Sequence, residues 1–287
     1  MKFTSLGRIF WGQDGTVYNG YIFRFNGDGT CKVYKLSDAL NNVDGGELTA
    51  VSEFTLDIEN KPIPHSNAVM FGTEYFCEGD EFPALYTNIY NNYASQPDEM
   101  RGTCCVYRIV REGDTFKTEL KQLIKLGFVF EKGLWCSEEG DIRPFGNFVI
   151  DKDANKYYGF NMMDGIRKTR YFEFNMPSIN DGTLDEETGV RTVVIEKEEI
   201  LSRFDCEYHI ILQGATVYKG KIYSVEGGTH SVDYPAVLRI IDPKAQKQEL
   251  KVFFRDYIDD YEPEFIEFYE DTCYYCDNHG YLYIIEF

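Results

Sequence analysis

Thr16-Val17-Tyr18-Asn19-Gly20-Tyr21-Ile22 returns 200 residues further on as Thr216-Val217-Tyr218-Lys219-Gly220-Lys221-Ile222. Gln13 and Gln213 stand at the same distance ahead of each copy. Each copy reads as strand, tight turn, strand. A phrase that recurs at this separation indicates a chain built from several copies of one supersecondary unit.

Outward from these two copies, apolar residues alternate with period two, as in Tyr21-Ile22-Phe23-Arg24-Phe25 and Lys32-Val33-Tyr34-Lys35-Leu36. Turn signals such as Asn26-Gly27-Asp28-Gly29 and Asn278-His279-Gly280 separate the runs. The runs fall into sets of four: an apolar inner strand, an aromatic hairpin partner, a third strand and a more charged outer one. The first set is Arg8–Thr16, Tyr21–Phe25, Cys31–Leu36 and Glu47–Leu56. The second is Asn67–Thr73, Ala84–Ile89, Cys104–Val110 and Thr118–Gly127. The third is Gly146–Asp151, Lys156–Met162, Arg170–Phe174 and Arg191–Ile195, with Glu196 to Phe204 reading either as a helical turn or as an outer strand. The fourth is Gln213–Tyr218, Lys221–Val225, Ala236–Ile241 and Glu249–Phe254.

The fifth set, Glu264–Tyr269, Thr272–Cys276 and Tyr281–Phe287, has three strands, and Met1–Leu6 is predicted to supply the fourth. Such a closure removes the open edge that a ring of repeats must otherwise protect. The fold expected is all-β: a single five-bladed β-propeller domain over residues 1–287, made of four-stranded antiparallel blades. Six blades is the alternative count if Lys125–Ile142 holds a degenerate unit.

Four stretches carry a resemblance. They are Gln13-Asp14-Gly15-Thr16-Val17-Tyr18-Asn19-Gly20-Tyr21, His65-Ser66-Asn67-Ala68-Val69-Met70-Phe71-Gly72, Phe82-Pro83-Ala84-Leu85-Tyr86 with Cys105-Val106-Tyr107-Arg108-Ile109, and His209 through Gln213-Gly214. The chain resembles the five-bladed β-propeller superfamily, and within it bacterial single-domain propeller proteins. The resemblance implies a fold and leaves the activity open, since that architecture hosts polysaccharide hydrolases and lyases, sugar-binding modules and plant-type glutaminyl cyclases.

Composition narrows the partners. With 48 acidic and 29 basic residues the net charge is −19. Nucleic acid and an anionic membrane surface are repelled by such a charge. The acidic surface keeps the protein soluble or attracts a cationic or metal-bearing ligand. The start of the chain lacks the apolar core of a secretory leader, which gives a cytoplasmic expectation, or a secreted one if a leader was removed. A monomer is expected. Of the eight cysteines, only Cys273-Tyr-Tyr-Cys276 has a C-x-x-C spacing. On a strand these two point to opposite faces, and no second pair completes a zinc site. No metal or other cofactor is expected.

The inner strands of a propeller line a central channel. Aligning the units on the repeated hairpin brings Gln13, His65–Ser66, Gly146, Gln213 and Glu264 to one level, with Arg8, Asp14, Asn67, Arg143, Asn147, His209 and Glu267 beside them. Amides, imidazoles, a guanidinium and carboxyls converging on one place can hold a small polar ligand, or can coordinate channel water and strand-end backbone groups. Glu264, His209 and Asp14 are the candidate proton-transfer groups. Gln13, His65, Asn67, Arg143, Asn147, Gln213 and Glu267 are the candidate ligand contacts. The Arg-Asp-Pro-like phrase of sugar-hydrolysing five-bladed families is replaced here by Gly12-Gln13-Asp14-Gly15, and no Gly-x-Ser-x-Gly elbow occurs. Gly227-Gly228-Thr229-His230-Ser231 reads as an interstrand loop, and Asp151-Lys-Asp153-Ala-Asn155 as a hairpin turn. Tyr86, Tyr90 and Tyr93, and Trp11 with Trp135, could contact a sugar ring. A carbohydrate-like ligand over the channel, with glycoside hydrolase or lyase chemistry as an open question, is one functional expectation. A non-catalytic protein-interaction scaffold around a water-filled channel is the other.

Overall fold

The computed structural model describes residues 1–42, 45–57, 64–89, 102–128 and 147–287. Strand β1 (Lys2–Arg8) is followed by the first sheet, β2 (Gly15–Tyr18), β3 (Tyr21–Phe25), β4 (Thr30–Lys35) and β5 (Ser52–Thr55), with a short helix α1 (Leu36–Leu40) after β4. The second sheet is β6 (Val69–Phe71), β7 (Leu85–Asn88), β8 (Thr103–Glu112) and β9 (Thr115–Leu126). The third holds β10 (Asn147–Asp151), β11 (Lys156–Met163) and β12 (Lys168–Asn175). Beyond it the chain makes β13 (Thr183–Leu184), β14 (Arg191–Ile195) and β15 (Ser202–Glu207). The fourth is β16 (Leu212–Tyr218), β17 (Lys221–Glu226), β18 (Val237–Asp242) and β19 (Lys247–Phe253). The fifth is β20 (Pro263–Tyr269), β21 (Thr272–Asp277) and β22 (Tyr281–Glu286).

The five sheets stand as antiparallel blades in a ring, a five-bladed β-propeller. Their inner strands β2, β6, β10, β16 and β20 face the axis. The amide of Ile150 in β10 donates to the Met70 sulfur of β6 at 3.2 Å, joining the second and third blades. Strand β1 pairs antiparallel with β22, from Lys2 opposite Glu286 to Arg8 opposite Tyr281. The first strand of the chain thus completes the last blade.

The outer edge of the third blade corrects the sequence reading. Arg191–Ile195 does not take it. Strand β14 runs parallel to β9 instead, with Arg191 opposite Gln122 and Ile195 opposite Leu126, and extends the second sheet. The cause is length and pattern. At twelve residues β9 offers a long free edge. Strand β15 alternates cleanly, with Phe204 and Cys206 inward and Arg203, Asp205 and Glu207 toward solvent, and it pairs with β12. Phe204 stacks on Tyr171 of β12 at 5.2 Å. Both readings of 196–204 are realised in succession: a 3-10 turn at Lys197–Glu199 closed by a Glu196/Glu199 capping box, then β15.

Aromatics fill the seams between blades. Phe23, Phe71, Phe82 and Phe116 pack with centroids 5.3 to 5.9 Å apart across the first two blades. Each buried ring of this kind stabilises by about 1.5–3 kcal/mol. Cys273 and Cys276 lie on opposite faces of β21, in two different apolar clusters. Asp151–Asn155 is the β10–β11 turn, in which the Asp151 carboxylate accepts the amides of Asp153 and Ala154. Gly227–Ser231 lies in the loop from β17 to β18. Among the described residues no helix is long and apolar enough to cross a membrane.

Removing residues 1–8 exposes the β22 edge and uncovers Leu282 and Ile285. Thermal unfolding of the truncated chain should begin at least roughly 10 °C lower than that of the intact chain. Size-exclusion chromatography should show edge-to-edge association.

Candidate functional site

The axis is polar along its length, and the side chains on it come from different blades. The inner strands order them from the leading end inward. At the leading end the Asn67 amide donates to the Gln213 side-chain oxygen at 2.8 Å and to the Leu212 carbonyl at 3.3 Å. Asn147 donates to the Gln213 carbonyl, and the Gln213 amide donates to Glu262. Asn88 donates to Asn147 at 3.1 Å and accepts from the Ala68 amide. Three blades and the segment leading into the fifth therefore share one amide network.

Deeper lie Asp14 and Glu264, 1% and 2% exposed. One Asp14 oxygen accepts the amide of Val69 at 2.8 Å, stitching the first blade to the second. Two bulges aim residues here. The register of β16 shifts between Leu212 and Ala215, and that of β20 between Pro263 and Phe265. Extra residues at such points turn side chains away from the regular alternation, and Gln213 and Glu264 occupy them. Gly214 permits the approach, since a Cβ there would lie 2.3 Å from the Glu264 carbonyl and 2.8 Å from Asp14 Oδ1. Asp14 Oδ1, Asn67 Oδ1 and Glu264 Oε2 are buried, and none has a hydrogen-bond partner among the described residues.

Further along, Glu267 receives one hydroxyl on each oxygen, Thr216 at 3.0 Å and Thr16 at 3.1 Å. These are the matching threonines of the two copies of the repeated phrase. Glu267 also lines a cavity of about 310 Å³ with Asp151, Lys152 and Lys219 at the far end of the inner strands.

A cation backs the acids. Arg24 is fully buried and donates to the carbonyls of Phe10, Gly12 and Gln13 and, across the blade boundary, of Asp277. It thereby shapes the loop into β2. Sequence reasoning missed Arg24, Glu262 and Asp277. The signal for Arg24 was its place between Phe23 and Phe25 in a strand whose neighbours on both faces are apolar.

The remaining sequence candidates are placed as follows. Gln13 is half-buried and holds its strand through its backbone, to Phe25 and Arg24. His65 packs against Gly27 in the turn of the first blade, where a Cβ would meet its ring at 2.9 Å. His209 stands apart from Glu264. It packs edge-on to Tyr234 at 5.5 Å, accepts the Ile211 amide on Nδ1, and feels the charges of Arg239, Lys251 and Glu207. Arg143, Gly146, Tyr90, Tyr93 and Trp135 lie outside the described residues. Tyr86 is buried in the blade core.

Burial raises Asp14 and Glu264 well above the carboxylate range; neighbouring acids push the same way and Arg24 opposes. Burial likewise raises Glu262 and Glu267, and lifts Asp277 to about 6. Desolvation carries His65 and His209 down to about 4. Burial thus shifts the acids of the mouth toward their neutral forms, beside amides and the guanidinium of Arg24. A metal bound by Asp14, Glu262 or Glu264 would have to displace protons to form its bonds.

No family sequence model matches the chain, and no curated protein matches it by sequence. Solved structures match in shape. Myxococcus xanthus glutaminyl cyclase superposes with a TM-score of 0.50 at 9% identity, over 100% of this chain and 94% of its own. BamB from Moraxella catarrhalis gives a TM-score of 0.37 at 10% identity, over 99% of this chain and 61% of its own. Kuenenia stuttgartiensis hydrazine synthase gives 0.41 at 11% identity, over 91% and 60%. At these identities the likeness is one of fold.

Two predictions follow from the axis. A raised carboxyl stabilises the fold fully below its unfolded pKa and loses that contribution as pH rises through the folded value. A depressed histidine contributes above 6.5 and loses it as pH falls through about 4. Above 6.5 the histidines no longer offset the acids. Stability measured by urea unfolding should fall as pH rises above 6.5, with a slope near 1.4 kcal/mol per pH unit for each proton held only by the fold. Glu264→Gln should make that slope shallower. Separately, Thr16→Val and Thr216→Val should each cost about 1 kcal/mol. The double variant should depart from additivity in a double-mutant cycle, because both hydroxyls serve one carboxyl.

Proposed function

We propose that the protein is a binding propeller whose channel mouth takes a small, neutral, hydroxyl-rich ligand of carbohydrate type. The observation that carries this reading is the trio of buried oxygens, Asp14 Oδ1, Asn67 Oδ1 and Glu264 Oε2, set beside the Asn67–Gln213–Asn147 amide network. Buried acceptors of this kind are costly unless a donor reaches them. A polyol or sugar brings several hydroxyl donors on one rigid ring. An anion is poorly served here, since the donors of the single guanidinium, Arg24, are engaged by the carbonyls of Phe10, Gly12, Gln13 and Asp277, and Glu262, Glu264, Asp14 and Asp277 crowd around it.

Binding rather than hydrolysis suits this geometry. Glycosidic cleavage needs one protonated and one ionised carboxyl. Burial raises Glu264, but it raises Asp14 in the same direction, so the pair is not divided into an acid and a base. Glu264 would then act as a hydrogen-bond donor to a ring oxygen or hydroxyl, with Asn67 and Gln213 fixing the ring's orientation.

Isothermal titration against a panel of neutral mono- and disaccharides and sugar alcohols tests the reading. At least one should bind, and Gln213→Ala or Asn67→Ala should weaken it about tenfold, the equivalent of one lost oriented hydrogen-bond set. A panel that gives no heat and no thermal shift at about 10 mM would sink it.

A further inference from the structure

A second cavity, of about 580 Å³, lies where the first and last blades meet. That volume falls in the range of small-molecule sites. Its lining shares no residue with the amide network or with the acids of the mouth. The walls are Arg8 from β1, Phe10 and Trp11 from the loop into β2, Lys32 and Tyr34 from β4, and Glu47 from the stretch before β5.

Three features mark it as built for a ligand. Trp11 is 57% exposed, and its ring is braced against Phe10 at 5.4 Å. A wet indole held in place is a flat apolar platform. Arg8 is fixed at its Nε, which donates to the His279 carbonyl at 2.8 Å, and its guanidinium lies 5.4 Å from the Tyr281 ring centre. Among the described residues Arg8 has no carboxylate partner, so its two terminal nitrogens are free for a fork-like grip. Tyr34 accepts the Phe10 amide at 2.8 Å, which leaves its own hydroxyl hydrogen to give. Glu47, also without an ion-pair partner among the described residues, offers acceptors for hydroxyls.

Gly7 sets the geometry. It sits at a register shift in β1 with φ +98°, and a Cβ there would lie 2.3 Å from the Gly46 carbonyl. The bulge carries Arg8 alongside Glu47, with which it forms an isolated bridge.

We propose that this cavity binds an acidic saccharide: a pyranose ring lying on Trp11, its hydroxyls on Glu47 and Tyr34, and its carboxylate on Arg8. Glu47 disfavours a doubly charged phosphate and favours a ring with many hydroxyls and one carboxylate. The site stands independently of the neutral ligand at the mouth.

The test uses the full chain carrying Trp135→Phe, which leaves Trp11 as the sole tryptophan to be excited selectively. Titration with di- and trigalacturonate should give a saturable change in its emission, and the neutral digalactose should bind at least about tenfold more weakly. Arg8→Gln should weaken the uronate about tenfold or more, and Arg8→Lys should restore only part, because a lysine keeps the charge without the fork. Calorimetry on Trp11→Ala should show the same loss with an unchanged melting temperature. Four results would overturn the proposal: no response to uronates at about 10 mM, equal binding of the neutral sugar, indifference to Arg8→Gln, or tighter Arg8-dependent binding of a nucleoside monophosphate.

Discussion

One carboxyl joins three blades. Glu267 on the inner strand of the fifth blade takes a hydroxyl from Thr16 of the first and another from Thr216 of the fourth, its two neighbours in the ring. The other bonds between inner strands reported above, such as Val69 to Asp14 and Asn147 to Gln213, each join two blades, whereas Glu267 joins three. Sheets twist, and apolar seams tolerate sliding, whereas two directional bonds to one buried acid do not. The level at which Thr16 and Thr216 meet Glu267 fixes where Gln213 and Glu264 fall, and hence where the mouth forms.

Burial of so many acids around the axis decides the chemistry that the mouth can offer. In a chain of charge −19, a ring of ionised carboxylates would repel itself apart. The structure counters this by burying Asp14 and Glu264, which raises both carboxyls toward their neutral forms, and by setting Arg24 behind them. Arg24 spends its donors on backbone carbonyls and not on a single carboxylate, so its charge is shared by the group. Neutral acids and amides recognise neutral hydroxylated molecules. The exposed seam at Trp11 and Arg8 is differently made, with a guanidinium free of carboxylate partners among the described residues and an open ring, and it suits the anionic ligand proposed for it.

Much of the fold was legible because it rests on repetition. The matched hairpins at 16 and 216 set the register of two blades, period-two patterning supplied the rest, and the odd three-strand set at the end pointed to closure by the first strand. The error fell on an outer edge. Edge strands are half exposed and carry a weak pattern, so Arg191–Ile195 and Ser202–Glu207 could not be ranked without knowing that β9 was long enough to accept a parallel partner. At the site, Asn67, Asn147 and Gln213 could be grouped because they share a level in the repeat. His209 resembled them in the chain, yet a side chain's direction at a strand end depends on bulges and loop geometry that the sequence does not spell out. Arg24 stood only as one residue of an alternating run and was given no role, because the run does not show that both faces of that strand are covered.

The pairing of Lys2–Arg8 with Tyr281–Glu286 has a kinetic side. Contacts between residues nearly the whole chain apart are the slowest to form, because the loop they close is the longest available. The first strand therefore has no partner during synthesis until the last hairpin has emerged. For that interval the fifth blade and the ring are open, and β1 is an unpaired strand able to join a neighbouring molecule. Its exposed face carries Lys2, Thr4, Ser5 and Arg8. Those residues are polar or charged, as befits a strand that must wait in water before it closes the circle.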